Sequence, residues 1–249
     1  MLLPAALAVL LAGADGAALR DYPVAGFEAV DLAANAMLTV EQGAMARVAA
    51  TGDARLLRCL TATVVEDRLV IGWAGRRGRG SVARGGRPDE IVVTGRADCP
   101  SMGDPGRLHV RVTAPTVTRV RLIEQGRIDI GPLSVPGFAV TLAGRGQVTL
   151  RNLRAAETRL ALPGQGGISA AGTLGRLVIT LAGRGTVDTT QAQADSLSVT
   201  LAGGGGIAAR VDGPAAGTVA GSGQVAISGQ PVCAIRNVGK ARIICPAGR

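Results

Sequence analysis

The feature that most constrains this chain is an apolar pattern that recurs about every 20 residues between residues 118 and 230. Each repeat has an apolar anchor, a glycine four positions later, and a β-branched residue two positions after that glycine. The anchors are Leu122, Leu142, Leu162, Leu181, Leu201 and Val219; the glycines are Gly126, Gly146, Gly166, Gly185, Gly205 and Gly223; the β-branched residues are Ile128, Val148, Ile168, Val187, Ile207 and Val225. A step of 18–20 residues places like side chains above one another when the repeats stack.

Within each repeat, two short alternations of apolar and polar residues flank a glycine corner, which is the period typical of β-strands. A single repeat cannot bury its apolar face, whereas stacked repeats bury a continuous column. We therefore predict an all-β fold, a single-stranded parallel β-helix (β-solenoid) with about six coils of 18–20 residues over 118–230. The aromatic content of only 2% suits the narrow core of such a coil. A sandwich of antiparallel hairpins is the alternative, but it does not require columns at a fixed step.

The segment before the repeats, residues 18–117, is predicted to form an N-terminal β cap together with the first coils. Its strand-like segments are 26–43, 46–52 and 66–75. Residues 53–60 begin with an aspartate and carry three leucines, a pattern that indicates a short helix. A cap is expected because an exposed terminal coil presents an unpaired sheet edge.

Two short apolar segments around the turn Asn237-Val238-Gly239-Lys240 predict that residues 231–249 form a C-terminal hairpin cap. The four cysteines, Cys59, Cys99, Cys233 and Cys245, suggest disulfides and allow three connectivities. We favour Cys233–Cys245, because a hairpin would place these two residues opposite each other. Cys59–Cys99 then follows by elimination.

The formal net charge is +9, and Lys240 is the only lysine, so arginine carries nearly all of the positive charge. Residues 74–88 contain five arginines and no acid, and are predicted to form a disordered basic loop. Arg145 and Arg184 occupy equivalent corner positions two coils apart, in a polar row with Gln125, Gln165 and Ser222. This row and the loop arginines (Arg76, Arg77, Arg79, Arg84 and Arg87) are candidate anion-binding residues, although a solvated edge and a solvated linker are the simpler interpretations.

An apolar run at residues 2–13 is too short to span a bilayer, and Ala12-Gly13-Ala14 at its end fits an A-x-A cleavage pattern. We interpret residues 1–17 as a signal peptide and expect no transmembrane span. The protein is accordingly expected in the periplasm, or secreted to the cell surface, where disulfides persist. An anionic glycan or an envelope component is the expected partner, and nucleic acid is not, since Trp73 is the only aromatic residue near the basic loop.

With these elements in order, the chain resembles the auto-transporter adhesin head GIN domain family of exported bacterial proteins over about residues 26–230. The resemblance is carried by the Gly-x-Gly repeats and by five segments that precede them: 26–30 (GFEAV), 40–43 (VEQG), 52–57 (GDARLL), 69–71 (LVI) and 112–115 (VTAP). It implies a single-stranded β-helix and an adhesin-like role.

The corners of this chain depart from the Ser-Gly-Ser-Gly-Asp motif that is usual in the family. One corner reads Ala143-Gly144-Arg145-Gly146-Gln147, and no corner keeps the acidic residue. The resemblance therefore does not extend a cation-binding role to this chain.

Gly-x-Gly corners also invite comparison with phosphate-binding loops, and residues 221–226 match G-x-G-x-x-A. A nucleotide loop requires a helix after the turn, because the helix N terminus receives the phosphate. Each corner here is followed by a strand pattern, so we expect the glycines to supply positive φ at a tight bend and expect no cofactor.

No catalytic constellation is evident in the sequence. Asp129 and Asp188 fall in one column, but three coils separate them by about 14 Å, too far for paired carboxylate chemistry. His109 is the only histidine and is expected to face solvent, and no C-x-x-C pair suggests zinc. We therefore expect a non-enzymatic structural or adhesin-like module of the cell envelope. A polysaccharide-binding or polysaccharide-processing protein on the same scaffold is the alternative.

Overall fold

The structure, a computed structural model, describes residues 10–12, 18–74 and 108–246. Apart from Ala74, the predicted basic loop at 74–88 lies outside the described residues, as does most of the predicted signal peptide at 1–17. The described part is almost entirely β, as the repeat predicted, and consists of strands joined in one sheet that coils about a common axis.

The N-terminal part contains eight strands and one short helix. These are β1 (Leu10–Ala12), β2 (Ala18–Tyr22), β3 (Ala29–Ala33), β4 (Ala36–Gln42), β5 (Arg47–Gly52), α1 (Ala54–Cys59), β6 (Leu60–Val65), β7 (Arg68–Trp73) and β8 (Leu108–Ala114). The helix confirms the short helical segment that residues 53–60 predicted. Asp53 caps it, since its side chain accepts a hydrogen bond of 2.7 Å from the backbone N–H of Arg55.

The repeats form the remaining strands. These are β9 (Arg119–Leu122), β10 (Gln125–Ile130), β11 (Leu133–Leu142), β12 (Arg145–Leu162), β13 (Gln165–Leu181), β14 (Thr186–Leu201), β15 (Gly206–Val211), β16 (Pro214–Val219), β17 (Gln224–Gly229), β18 (Val232–Asn237) and β19 (Arg242–Ile244). The longest of them bend around a corner within one strand, so a single strand contributes to more than one face of the coil.

Parallel pairing confirms the predicted columns. Leu122 pairs with Leu142, Leu162 with Leu181, and Leu181 with Leu201. In the second column Ile128, Val148, Ile168, Val187, Ile207 and Val225 follow one another in register. All of these side chains are buried, with exposed fractions of at most 2%. The two columns therefore form the core, and each coil hydrogen-bonds to the next along the axis.

The first coils are stacked in an order that differs from the chain order. β3 and β4 lie between the coil formed by β7 and β8 and the coil formed by β9 and β10. The leucine column consequently extends outward from Leu122 through Leu32 to Ile71. Beyond this outermost coil, β6 pairs antiparallel with β7 and β5 pairs antiparallel with β8. β2 continues that antiparallel layer, so the N-terminal edge of the solenoid is covered. β1, which pairs antiparallel with β2, lies within the predicted signal peptide.

The other end of the solenoid is not a hairpin, and the prediction for residues 231–249 is wrong in this respect. β18 pairs in parallel with β16, and β19 pairs in parallel with β17, so residues 232–244 form one more coil. Asn237 shapes its corner, because its side chain donates to the Ala241 carbonyl at 2.7 Å and accepts from the Gly239 N–H at 3.1 Å.

The predicted Cys233–Cys245 disulfide is confirmed, and it links β18 to the residue that directly follows β19. Cys59 is also disulfide-bonded. Its predicted partner, Cys99, lies outside the described residues, so that pairing stays a prediction.

The corner glycines are required mainly by close stacking, which corrects the expectation that they supply positive φ. Of the six glycines that follow the anchors by four residues, Gly166 alone has a clearly positive φ, +147°. A Cβ added at Gly146 or Gly205, two of these six, would instead collide with the carbonyl oxygen of Gly126 or Gly185 in the preceding coil. The same holds for the corner residues Gly183 and Gly203, which would collide with the carbonyl oxygens of Gly164 and Gly183. Each coil thus lies too close to its neighbour for a side chain at these positions.

Candidate functional site

One position at each glycine corner lies in line along an edge of the solenoid; this position is polar at every corner except Gly204, and we call the line the corner row. Its members are Gln125, Arg145, Gln165, Arg184, Gly204, Ser222 and Lys240. The register follows from the pairing of Arg145 with Gln125 on one side and with Gln165 on the other. At the far end, the N–H groups of Ser222 and Lys240 donate to the preceding glycine corner at 3.2 and 3.0 Å.

A shallow depression of about 700 Å³ lies along the corner row. Arg145, Gln165 and Arg184 line it, and its remaining walls consist of the corner residues 143–144, 163–164, 182–183 and 203–204, which are Ala, Gly or Pro. Because these residues have little or no side chain, an elongated molecule could approach the backbone closely here. Arg145 and Arg184 are exposed and form no ion pair with any described residue. Their Cα atoms, two coils apart, are separated by about 10 Å.

A second depression of about 590 Å³ lies on the adjacent face and shares Arg145 with the first. Gln125, Arg127 and Gln147 contribute further polar side chains to it. Arg145 therefore stands between two open clefts. Sequence reasoning missed Arg127, because it precedes the apolar column by one residue and resembles any outward-facing position. It also missed Lys240, because residues 237–240 were interpreted as a hairpin turn.

The side chains of the corner row have the chemistry that suits an anionic ligand. Guanidinium groups donate two parallel hydrogen bonds to a carboxylate, sulfate or phosphate and keep their charge at any physiological pH. The Gln165 side chain between the two arginines can both donate to and accept from hydroxyl groups. The corner that reads G-x-G-x-x-A continues into β17 and not into a helix, so it lacks the element that receives a nucleotide phosphate.

The two carboxylates that the sequence places in one column, Asp129 and Asp188, have separate partners in the structure. Asp129 and Asp188 share a column with Thr149 and Ser169 between them, as the spacing predicted. Asp129 forms an ion pair with Arg151 at 3.3 Å, and Asp188 accepts hydrogen bonds from the backbone and hydroxyl of Thr190. Among the described residues, no group of three or more side chains is arranged to hold a metal ion.

His109 lies on the outer face, out of phase with the apolar positions of its strand, and is half-buried there by its neighbours. Met37 and Thr51 flank it in the neighbouring strands, and its Nε2 is hydrogen-bonded to Thr39 Oγ1 at 2.7 Å. Burial, together with the nearby Arg111 charge, lowers the pKa of His109 below its usual value, while Asp129 and Glu41 oppose that change. Burial and the Arg111 charge therefore both favour the neutral form of this imidazole.

A buried charge cluster that the sequence did not indicate lies on the first coils. Asp31 is only 3% exposed, and its Oδ2 is 3.6 Å from an Nη1 of both Arg68 and Arg121. Its Oδ1 accepts no hydrogen bond from any described residue. Burial raises the pKa of Asp31, and the positive charges of Arg121, Arg68 and Arg119 reduce that rise without cancelling it.

Ionisation of Asp31 is therefore expected to reduce stability, despite its arginine partners. The unfolded chain releases this proton near pH 3.8, whereas the folded chain retains it to higher pH. The contribution of protonated Asp31 to the free energy of unfolding is thus fully present below that pH. It is lost as the pH rises through the raised pKa of the folded chain. Relative to Asp31→Asn, the wild-type melting temperature should fall between about pH 3 and about pH 7. Asp195→Asn, at an exposed position, provides the control. If the melting temperature of the wild type relative to Asp31→Asn rose with pH, the raised pKa of Asp31 would be contradicted.

Within the described residues, the structure contains no helix of the length and apolar character needed to cross a membrane. The five arginines of the predicted basic loop lie outside those residues, so Arg76, Arg77, Arg79, Arg84 and Arg87 stay candidates from the sequence alone.

The same fold occurs in solved structures of low sequence identity. A "putative adhesin" from Bacteroides fragilis NCTC 9343 superposes with a TM-score of 0.70 at 15% identity, covering 92% of this chain and 97% of its own. A "putative lipid binding protein" from Parabacteroides distasonis ATCC 8503 gives 0.65 at 16% identity, covering 94% and 98%. A "putative adhesin" from the same organism gives 0.61 at 13% identity, covering 91% and 95%.

No curated protein is significantly similar to the chain in sequence. The family described as "Putative auto-transporter adhesin, head GIN domain" matches residues 26–231, which include the first coils, the leucine column and the glycine corners. Because this match spans most of the solenoid, the chain belongs to that adhesin head family.

Proposed function

We propose that this chain is an exported, non-enzymatic interaction module of the bacterial cell envelope, and that its corner row binds an anionic polysaccharide. The observation that carries the proposal is the pair of exposed guanidinium groups, Arg145 and Arg184, which lie two coils apart along an open depression with glycine-rich walls. A flexible anionic chain can lie along such an edge and place acidic groups against both arginines.

Export is supported by two features of the chain and by its family. Residues 1–17 have the pattern of a signal peptide, and the Cys233–Cys245 disulfide is of the kind that persists in oxidising compartments such as the periplasm. Adhesin-like domains act outside the cytoplasm. Cell fractionation tests this part of the proposal, and detection of the protein in the cytosol alone would contradict it.

A polysaccharide suits the corner row better than a nucleic acid does. Single-stranded nucleic acids are bound largely by stacking on aromatic rings, and this chain contains one Trp, one Tyr and two Phe. Acidic sugars instead present carboxylate or sulfate groups and hydroxyls, which match the arginine forks and the amide of Gln165. The depression is open and shallow, as a long polymer requires.

The binding test uses heparin as a sulfated polysaccharide probe and the full chain with Arg145→Gln and Arg184→Gln combined. Two lost charge-assisted contacts should weaken binding by about tenfold or more. The matched control combines Arg154→Gln and Arg176→Gln, which remove the same charge from exposed positions on other faces. An equal loss of affinity in both variants would show binding to net charge only and would contradict a site at the corner row.

A separate variant tests the basic loop as a second contact. Replacement of Arg76, Arg77, Arg79, Arg84 and Arg87 by glutamine leaves the corner row intact. If the loop binds the same polymer, this variant should bind heparin more weakly than the wild-type chain does. Unchanged affinity would remove the loop from the proposed site.

A further inference from the structure

The two ends of the solenoid differ in a way that the corner row does not explain. At the N-terminal end, antiparallel strands β6 and β5 cover the outermost coil. At the other end, β18 and β19 each pair on one side only, with β16 and β17, and no described strand pairs with their other side. Within the described residues, the last coil thus presents an open β edge.

Backbone groups of this coil point alternately toward the solenoid and toward the open side. The N–H groups of Val232 and Val238 donate to the preceding coil, to Gly213 at 2.9 Å and Val219 at 2.8 Å. Since successive residues of a parallel strand bond to opposite sides, the N–H and C=O groups of Cys233 and Ile235 face the open side. Such a row of unpaired groups is a template for another strand.

Side chains with apolar surface concentrate on the same coil. Of the four large hydrophobic residues that are exposed in the described structure, three lie here: Val232 at 69%, Val238 at 54% and Ile244 at 41%. The Cys233–Cys245 disulfide ties β18 to the residue after β19 and so limits fraying of the coil. An edge that is already ordered loses less conformational entropy when it binds a partner.

The positive charge of the last coil indicates which kind of strand can pair with its open edge. Arg236, Lys240 and Arg242 are all exposed on this coil, and residues 232–246 contain no acidic residue. Two copies that met at this edge would bring like charges together, which opposes self-pairing. An extended strand with acidic side chains would instead neutralise these charges while it pairs with the backbone.

We propose that the last coil, β18 and β19, is a strand-addition site that binds an extended segment of a partner protein in which apolar and acidic residues alternate. Backbone hydrogen bonds to the open edge hold the segment. The apolar side chains of the segment contact Val232 and Val238, and its acidic side chains contact the basic residues of the last coil. This surface shares Lys240 with the corner row but contributes no residue to the depression at Arg145 and Arg184. The variants that test the two proposals change different residues, so either proposal can fail without the other.

The test measures binding of a fluorescent synthetic peptide of about eight residues, the length of an ordinary strand, in which valine and glutamate alternate. Fluorescence anisotropy with the full chain should show saturable binding. Arg236→Glu combined with Arg242→Glu should weaken it by about tenfold or more. The matched control, Arg154→Glu with Arg176→Glu, makes the same charge change away from the edge and should leave binding unchanged. Equal loss in both variants would overturn the proposal.

Two further peptides separate strand addition from simple charge attraction. In the first, alternate residues are N-methylated, which removes backbone donors and keeps every acidic side chain; it should not bind. In the second, lysine replaces glutamate, and it should bind far more weakly. Unimpaired binding of the methylated peptide, or dimerisation of the peptide-free chain through residues 232–246, would overturn the proposal.

Discussion

Replacement of Gly203 by alanine is expected to destabilise the protein by about 3 kcal/mol or more. The added Cβ would collide with the Gly183 carbonyl of the preceding coil and would lie 3.1 Å from the Ala182 carbonyl oxygen. Backbone atoms cannot rotate away as a side chain can, so the two coils would have to separate. Urea denaturation of the full chain measures the loss.

The neighbouring glycine provides the control for this experiment. A Cβ at Gly204 would meet only the Ser222 hydroxyl oxygen, at an ordinary contact distance of 3.7 Å. Gly204→Ala should therefore leave stability unchanged or raise it by about 0.5 kcal/mol, because alanine restricts the unfolded chain. Equal effects of the two substitutions would contradict the close stacking of the corners.

Replacement of Leu181 by alanine should also cost about 3–5 kcal/mol. Its side chain is fully buried and lies in the column between Leu162 and Leu201, where it fills space that a smaller residue would leave empty. Because a solenoid is stabilised by contacts between adjacent coils, the cavity weakens both junctions of this coil. Hydrogen exchange should then accelerate first in the neighbouring coils.

Thr180 precedes Leu181 on the same strand but points outward and is exposed. Thr180→Ala should change stability by no more than about 0.5 kcal/mol. A cost at Thr180 that equals the cost at Leu181 would show that the inward and outward faces have been assigned wrongly.

The coils could be predicted from the sequence because a fixed step encodes the register directly. Val148 stands 20 residues after Ile128 and 20 before Ile168, so the position of each determines its neighbour in the column. The glycine corners were recognised for the same reason. The physical reason for glycine at these corners could not be predicted. It is the short distance between adjacent coils, which depends on two segments of the chain and cannot be inferred from the sequence of either segment alone.

The first coils could not be ordered from the sequence. Leu32, Ile71 and Leu122 form one column, yet they are separated by unequal lengths of chain, and the chain order does not match the stacking order. The Asp31 cluster was missed for a related reason, since its arginines come from two different coils on either side of it. Only the folded structure brings these groups together.

The last coil was not recognised as a repeat because one residue interrupts the apolar column. The position after Val219 in the leucine column is Asn237, a polar residue, so the apolar pattern stops there. A turn signal at the same place suggested a hairpin. In the structure, Asn237 shapes another glycine corner through its side-chain hydrogen bonds. That corner adds Lys240 to the corner row that contains Arg145 and Arg184.

Amide chemical-shift mapping by NMR, with heparin titrated into the full 25.0 kDa chain, tests the central functional proposal most directly. We expect the largest shifts at the corners that line the depression, residues 143–145, 163–165 and 182–184, with Arg145 and Arg184 among them. The outward faces of β14 and β16 should change little. Shifts spread evenly over all exposed arginines, or confined to another face, would contradict a binding site at the corner row.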